Sequence, residues 1–135
     1  MIIGGGFVGS ETALHLAQQG KKVVIVEILD KIIGEMFMCN RQHMIKLLAD
    51  AKVKILTETT VMEITEKTVT LTDKNGMKTV LDVDTVILAA GMKPNNILLE
   101  EIRAKIPEVY NIGDSAEPRR LLEAIWQGFR TARIV

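Results

Sequence analysis

Cys39 is the only cysteine in the chain, and that scarcity excludes more chemistry than any other feature of the composition. It rules out an internal disulfide, a CxxC dithiol pair and a metal or iron–sulfur centre built from cysteines. A lone cysteine ahead of an amphipathic helix is expected as a small packed side chain rather than a nucleophile. Net charge is also lacking. The 17 Lys plus Arg balance 17 Asp plus Glu to give +0, so no field draws the chain to nucleic acid or to an anionic membrane. No apolar run approaches the roughly 20 residues of a membrane helix. The longest, Val23–Val26 and Val86–Ala90, have the length of strands. No basic segment with a cleavable apolar stretch precedes the first strand pattern, which makes the cytoplasm the expected compartment. His15 and His43 fall in helical patterns with no further donor at metal-ligand spacing, so no metal site is expected. A GxSxG elbow, an HExxH pair and a P-loop lysine are all missing, which leaves hydrolase and kinase readings without their minimum parts.

What is present organises itself quickly. A length of 135 residues supports one core, and a hydrophobic share of 47% implies that some apolar surface belongs against partners. Ile2 and Ile3 lead into Gly4-Gly5-Gly6. From Phe7 to Gln19 the apolar residues recur at helical spacing, and Gly20 supplies a C-cap. Val23-Val24-Ile25-Val26 is a β-branched run of the kind found in parallel strands covered on both faces, and it ends in Glu27. Met44, Ile45, Leu47 and Leu48 mark a second helix, and Val53 to Leu56 a third strand.

Alternation then takes over. Val61–Thr65, Thr68–Thr72 and Met77–Val83, with a turn at Asn75-Gly76, predict an antiparallel meander. Val86–Ala90 returns to the fully buried parallel type. A short helix is expected over Ile97–Ala104, a strand at Val109–Ile112 after Pro107, and an amphipathic helix over Leu121–Ile134 with Leu121, Leu122, Ile125, Trp126 and Phe129 near one face. The fold class expected is α/β, a Rossmann-like doubly wound parallel sheet in three layers with an antiparallel β-meander crossover.

Gly4, Gly6 and Gly9 form GxGxxG, and each glycine answers a separate demand: a tight turn, close approach of a pyrophosphate to the backbone, and close packing of helix on strand. The helix N-terminus would aim its amides and its positive dipole end at the phosphates. The glycine pattern alone is weak. Here it follows a strand, opens a helix and is answered at the end of the second strand by Glu27, roughly the 20 residues on that ribose recognition calls for. A carboxylate there accepts bonds from ribose hydroxyls and repels a 2′-phosphate, which favours NADH over NADPH. Ile28, Leu29 and Asp30 offer no arginine to reverse that preference, although Lys31 is near. Glu11 is read in the first turn of the glycine-rich helix, where the macrodipole alone would favour it.

With these residues in view the chain resembles the two-dinucleotide-binding-domain flavoproteins. The match is carried by Gly4-Gly5-Gly6-Phe7-Val8-Gly9-Ser10-Glu11, by Glu27, by the segment from Asp84 through Ala90-Gly91 to Pro94-Asn95, and by Val109-Tyr110-Asn111-Ile112-Gly113-Asp114. The tail from Glu117-Pro118-Arg119-Arg120 to Arg130 looks like that of bacterial enoate and 2,4-dienoyl-CoA reductases, relatives of old yellow enzyme. The resemblance implies an NADH-binding domain over 1–107 and, over 108–135, a return segment to an FAD domain whose first half lies outside this chain. It implies cofactor contacts from Gly4, Gly5, Gly6, Phe7, Val8 and Gly9, with Glu27 on ribose, Glu11 near the nicotinamide end, Ala90 and Gly91 beside NADH, and Gly113 and Asp114 toward FAD. FMN and an iron–sulfur cluster would sit in a flavin barrel that is also outside this chain.

Hydride transfer is cofactor chemistry that the protein positions, so no catalytic side chain is nominated and the fragment alone is not expected to turn over. NADH, the missing FAD domain and the flavin barrel are the expected partners, and the surplus apolar surface leaves homo-oligomerisation open. Two alternatives stand beside this reading: the NADH domain of a disulfide, nitrite or rubredoxin reductase, and a scaffold that no longer binds nucleotide.

Overall fold

The computed structural model describes every residue from Met1 to Val135 and divides into two compact units, Met1–Gly91 and Met92–Val135. The first unit runs β1 (Ile2–Ile3), α1 (Phe7–Gln18), β2 (Val24–Val26), α2 (Met38–Asp50), β3 (Lys54–Leu56), then β4 (Thr59–Ile64), β5 (Thr68–Asp73), β6 (Lys78–Asp82) and β7 (Ile87–Leu88). Strands β3-β2-β1-β7 make one sheet and β4-β5-β6 a second. The first is parallel throughout, with Ile2 opposite both Ile25 and Ile87, and Val24 opposite Lys54. The second is an antiparallel meander with a bulge between Val61 and Glu63.

The layers follow from the alternation of side chains along each strand. Ile25, fully buried, joins Ile2, Ala13, Leu48 and Val53 in a core shared with the helices. Its neighbour Val26 joins Val69 and Leu71 in a second core shared with the meander. The central strand β2 therefore feeds apolar side chains into both faces, which is why its sequence is a continuous β-branched run. α1 stops where Gly20 adopts φ +80 and returns its N–H to the Ala17 carbonyl at 2.9 Å.

Three details depart from the sequence-based expectation. α2 starts well before Met44, and Cys39 lies exposed in its first turn rather than packed. The last parallel strand is shorter than Val86–Ala90, and Leu88 is 74% exposed. Val86 packs against the meander-side core and Ile87 and Ala89 against the helix-side core, so it is Leu88 alone in the strand that is left uncovered. Glu11 falls one turn later than expected, because α1 begins at Phe7 and has no acidic residue in its first turn.

The second unit contains α3 (Ile97–Arg103), a 3-10 turn at Gly113–Ser115 and α4 (Leu121–Ala132), and none of these elements has a buried residue. The strand expected at Val109–Ile112 does not form. A strand exists through its neighbours' backbone groups, and no other strand of the chain pairs with this one. The segment is held by side chains instead: Asn111 donates from Nδ2 to Asn96 Oδ1 at 3.2 Å and to the Ser115 carbonyl at 3.1 Å, and accepts from Ser115 Oγ at 2.6 Å. α4 forms with the apolar face read from its sequence, yet Leu121, Leu122, Ile125, Trp126 and Phe129 all remain exposed. Trp126 and Phe129 meet edge to face at 6.0 Å, and the Arg130 guanidinium lies 5.6 Å from the Trp126 ring centre.

Candidate functional site

In the first unit the strand order 3-2-1-7 reverses direction at β1: one connection leaves toward β2, and the chain returns on the other side as β7. Ligands of open parallel sheets bind at that switch, off the carboxyl ends of the strands. Three chain segments meet there. The glycine turn leaves β1, Glu27 ends β2, and Ala89-Ala90-Gly91 leaves β7.

Backbone bonds lock the segments together. Gly4 donates to the Val26 carbonyl at 2.8 Å, and Ala89 donates to the Ile3 carbonyl at 2.7 Å. Gly4 sits at φ +105, and a Cβ there would collide with the Ala89 carbonyl oxygen and lie 3.0 Å from the Ala90 nitrogen. The first glycine thus serves the turn and the close passage of β7 at once. A Cβ on Gly9 would collide with the Gly4 carbonyl oxygen, so the third glycine lets α1 lie directly on the turn. Gly6 is different, because a Cβ there would meet nothing within 4 Å. The middle glycine faces open space at the N-terminus of α1, and no side chain caps that helix. Phe7 turns inward onto the helix-side core, whereas Val8 and Glu11, one turn apart, stay exposed.

Glu27 points into this turn. Its Oε2 accepts the Gly5 N–H at 2.6 Å and its Oε1 accepts the Leu29 N–H at 2.9 Å, in a residue only 9% exposed. A carboxylate has about four acceptor positions, so two protein bonds leave capacity for hydroxyl groups of a ligand. The charge also stabilises the turn, since a buried amide without its acceptor costs about 1–3 kcal/mol.

Sequence reasoning missed the loop after Leu29. Ile32 and Ile33 are each 3% exposed, and a Cβ on Gly5 would strike Ile32 Cγ2. Ile33 donates to the Gly5 carbonyl at 2.7 Å from a left-handed backbone, φ +50, a conformation that costs a β-branched residue roughly 1–3 kcal/mol. Arg41, in α2, donates from Nε to the Ile32 carbonyl at 2.8 Å. Ser10 adds a longer bond from Oγ to the Gly5 carbonyl, 3.3 Å.

Gly113 and Asp114 belong to the second unit. Gly113 donates to Gln127 Oε1 at 2.6 Å, and the Asp114 side chain is exposed at the start of the 3-10 turn. Arg119 pairs with Glu117 at 2.7 Å, both side chains being about half exposed. Two clefts are lined by none of the glycine-turn residues. One of about 250 Å³ runs along α4 between Arg119 and Arg130, and one of about 420 Å³ at the amino ends of β2 and β3 is ringed by Lys21, Lys22, Lys52 and Lys54. Neither lies at the switch point of the parallel sheet, so the open space at Gly6, at the N-terminus of α1, is the candidate site. No group of His, Cys, Asp and Glu is arranged to hold a metal ion, and no helix is long and apolar enough to cross a membrane.

A family model described as pyridine nucleotide-disulphide oxidoreductase matches residues 1–128. Cinnamate reductase of Clostridium sporogenes is 33% identical over 98% of the chain, which covers 20% of that protein. NADH oxidase of Thermoanaerobacter brockii is 34% identical over 98% of the chain and 20% of its own length. Among solved structures, 2-naphthoyl-CoA reductase in complex with 2-naphthoyl-CoA superposes with a TM-score of 0.82 at 33% identity, over 96% of this chain and 20% of that one. The chain thus spans about a fifth of the length of these relatives.

Proposed function

The chain belongs to the pyridine nucleotide-disulphide oxidoreductase family, and on that footing we propose that residues 1–107 act as the NADH-binding domain of a longer flavin-dependent oxidoreductase, with 108–135 returning to its FAD domain. One observation carries the reading. A glycine turn at the switch point of a parallel sheet is held by the Glu27 carboxylate, and a Cβ at Gly6 would stand in open space with no heavy atom within 4 Å.

The residues present fit a dinucleotide. Gly6 leaves room for a diphosphate, the first turn of α1 brings its amides and dipole to that charge, and Glu27 keeps acceptor capacity for ribose hydroxyls. A 2′-phosphate would meet the same carboxylate as a like charge, which favours NADH over NADPH. Gly4, Gly5, Phe7, Val8 and Gly9 shape the floor of this seat, Ala90 and Gly91 one wall, and Glu11 lies one helical turn beyond Phe7, toward the nicotinamide end.

Bound NADH supplies a hydride, for which FAD is the acceptor. The work of this chain is to bind, to orient and to exclude the wrong nucleotide, and none of its side chains is assigned a catalytic role. For FAD the fit is partial. Gly113 and Asp114 provide one wall, with the Asp114 carboxylate exposed, and Val109–Ile112 waits for a strand that this chain does not supply. We place the domain boundary at Pro107, inside the second compact unit, Met92–Val135, reading the unpaired strand sequence and the turn after it as one return segment. The partners we propose are that FAD domain and, carried outside this chain, FMN and an iron–sulfur cluster. An enoate or enoyl-CoA substrate is supported by relatives named for cinnamate and a naphthoyl-CoA thioester.

Calorimetric titration of the chain with NADH and with NADPH tests the assignment. NADH is expected to bind the more tightly, and equal or tighter binding of NADPH would overturn the nucleotide preference. In the full-length protein, FMN and iron alongside FAD support the enoate branch, whereas FAD alone points to a disulfide, nitrite or rubredoxin reductase.

A further inference from the structure

We infer that Arg41 is a positioning residue for the dinucleotide site, acting through Ile32 and Ile33 on Gly5; the inference rests on the function proposed above. Arg41 lies outside the glycine turn and outside every motif that marks the site. Its Nε donates to the Ile32 carbonyl at 2.8 Å, and its own backbone N–H closes the first turn of α2 on the Phe37 carbonyl at 2.9 Å. The guanidinium therefore ties the middle of the 28–36 loop to α2.

What that loop does explains why it needs a tie. Ile32 packs so closely over Gly5 that no side chain could stand there, and Ile33 reaches back to the Gly5 carbonyl at 2.7 Å. From the other side, Glu27 holds the Gly5 N–H at 2.6 Å. Gly5 is thus fixed through its N–H, its carbonyl and its α-carbon, and two of those three restraints come from the loop. Ile33 makes its bond from φ +50, a conformation that a β-branched residue leaves when released. Planted one residue before that strained position, Arg41 opposes the release. A charge-assisted bond to a carbonyl in a half-buried setting suits the task, being stronger than a neutral one. With the loop in place the amides ahead of α1 are preorganised for phosphate. With it relaxed, binding must first restore their geometry.

The test compares the wild-type chain with Arg41→Met, which keeps the apolar stem, and Arg41→Lys, which keeps the charge but not the planar donor. NADH affinity is measured by calorimetry, and amide hydrogen exchange is read residue by residue. In Arg41→Met, NADH is expected to bind roughly tenfold more weakly, the loss of one charge-assisted bond, with Arg41→Lys between it and wild type. Exchange should accelerate at Ile33 and Gly5 while the amides of Ile25 and Leu48 keep their protection. Wild-type affinity in Arg41→Met with unchanged exchange at Ile33 and Gly5 would overturn the inference. Acceleration spread evenly over the whole unit would overturn it equally, since Arg41 would then be supporting the fold at large. If the wild-type chain itself does not bind NADH, the failure belongs to the proposed function, and exchange at Ile33 still decides whether Arg41 holds the loop.

Discussion

The Glu27 carboxylate accepts the Gly5 amide at 2.6 Å, so the residue proposed to select the ribose is also a strut of the turn proposed to take the phosphates. Recognition and preorganisation share one side chain. A substitution there acts on two terms at once, and the two can be separated because only one of them appears without ligand.

Glu27→Ala is expected to leave the Gly5 and Leu29 amides without their acceptor and to lower unfolding free energy by about 1–3 kcal/mol in the absence of nucleotide. NADH affinity should fall by more than the roughly tenfold that loss of a single hydrogen bond gives, and the margin over NADPH should narrow. Glu27→Gln keeps an acceptor for Gly5 but not the charge. Its single amide oxygen serves one of the two N–H groups, so it should recover about half of the lost stability while still admitting NADPH, and paired denaturation and titration curves separate the two effects.

Gly6 and Gly9 stand three residues apart in the same motif, yet they should fail in different ways. A methyl at Gly9 meets the Gly4 carbonyl oxygen, so Gly9→Ala must push α1 off the turn; a loss of several kcal/mol is expected, as for overpacked sites. A methyl at Gly6 meets nothing. Gly6→Ala should change stability by less than about 1 kcal/mol while occupying the space that the diphosphate needs, so that thermal unfolding is nearly unchanged and NADH binding is lost.

Much of this was legible in the chain because it is local. β-branched runs, the spacing of three glycines and a carboxylate at the end of the second strand specify β1, α1, β2 and the switch point without reference to distant residues. What escaped depends on contacts that sequence patterns do not encode. Nothing about Ile33 announces a left-handed backbone, and nothing about Arg41 announces a bond nine residues back. The strand expected at Val109–Ile112 failed for a related reason, since its β-branched and aromatic pattern is genuine but no other strand of this chain pairs with it. Leu88 and Cys39 read as packed from their neighbours in sequence, but Leu88 lies on an edge strand and Cys39 in the exposed first turn of α2.

Leu48 and Leu122 make the same point energetically. Leu48 is fully buried, so Leu48→Ala is expected to cost about 2–5 kcal/mol. Leu122→Ala and Phe129→Ala remove side chains that are 60% and 54% exposed and should each change the stability of this chain by less than about 0.5 kcal/mol. Chemical denaturation of the three variants decides it, and a large loss in Phe129→Ala would mean that α4 is packed in solution.

The most direct test of the central claim is a nitrogen–proton correlation spectrum of the labelled chain, recorded as NADH is added. The amides of Gly5, Gly6, Val8, Gly9, Ile28 and Gly91 should move in a saturable way, while those around Lys22, Lys54 and Leu71 hold still. A spectrum in which the glycine-turn amides stay fixed at millimolar NADH, or in which the shifts gather at the lysine-ringed cleft instead, would contradict the account.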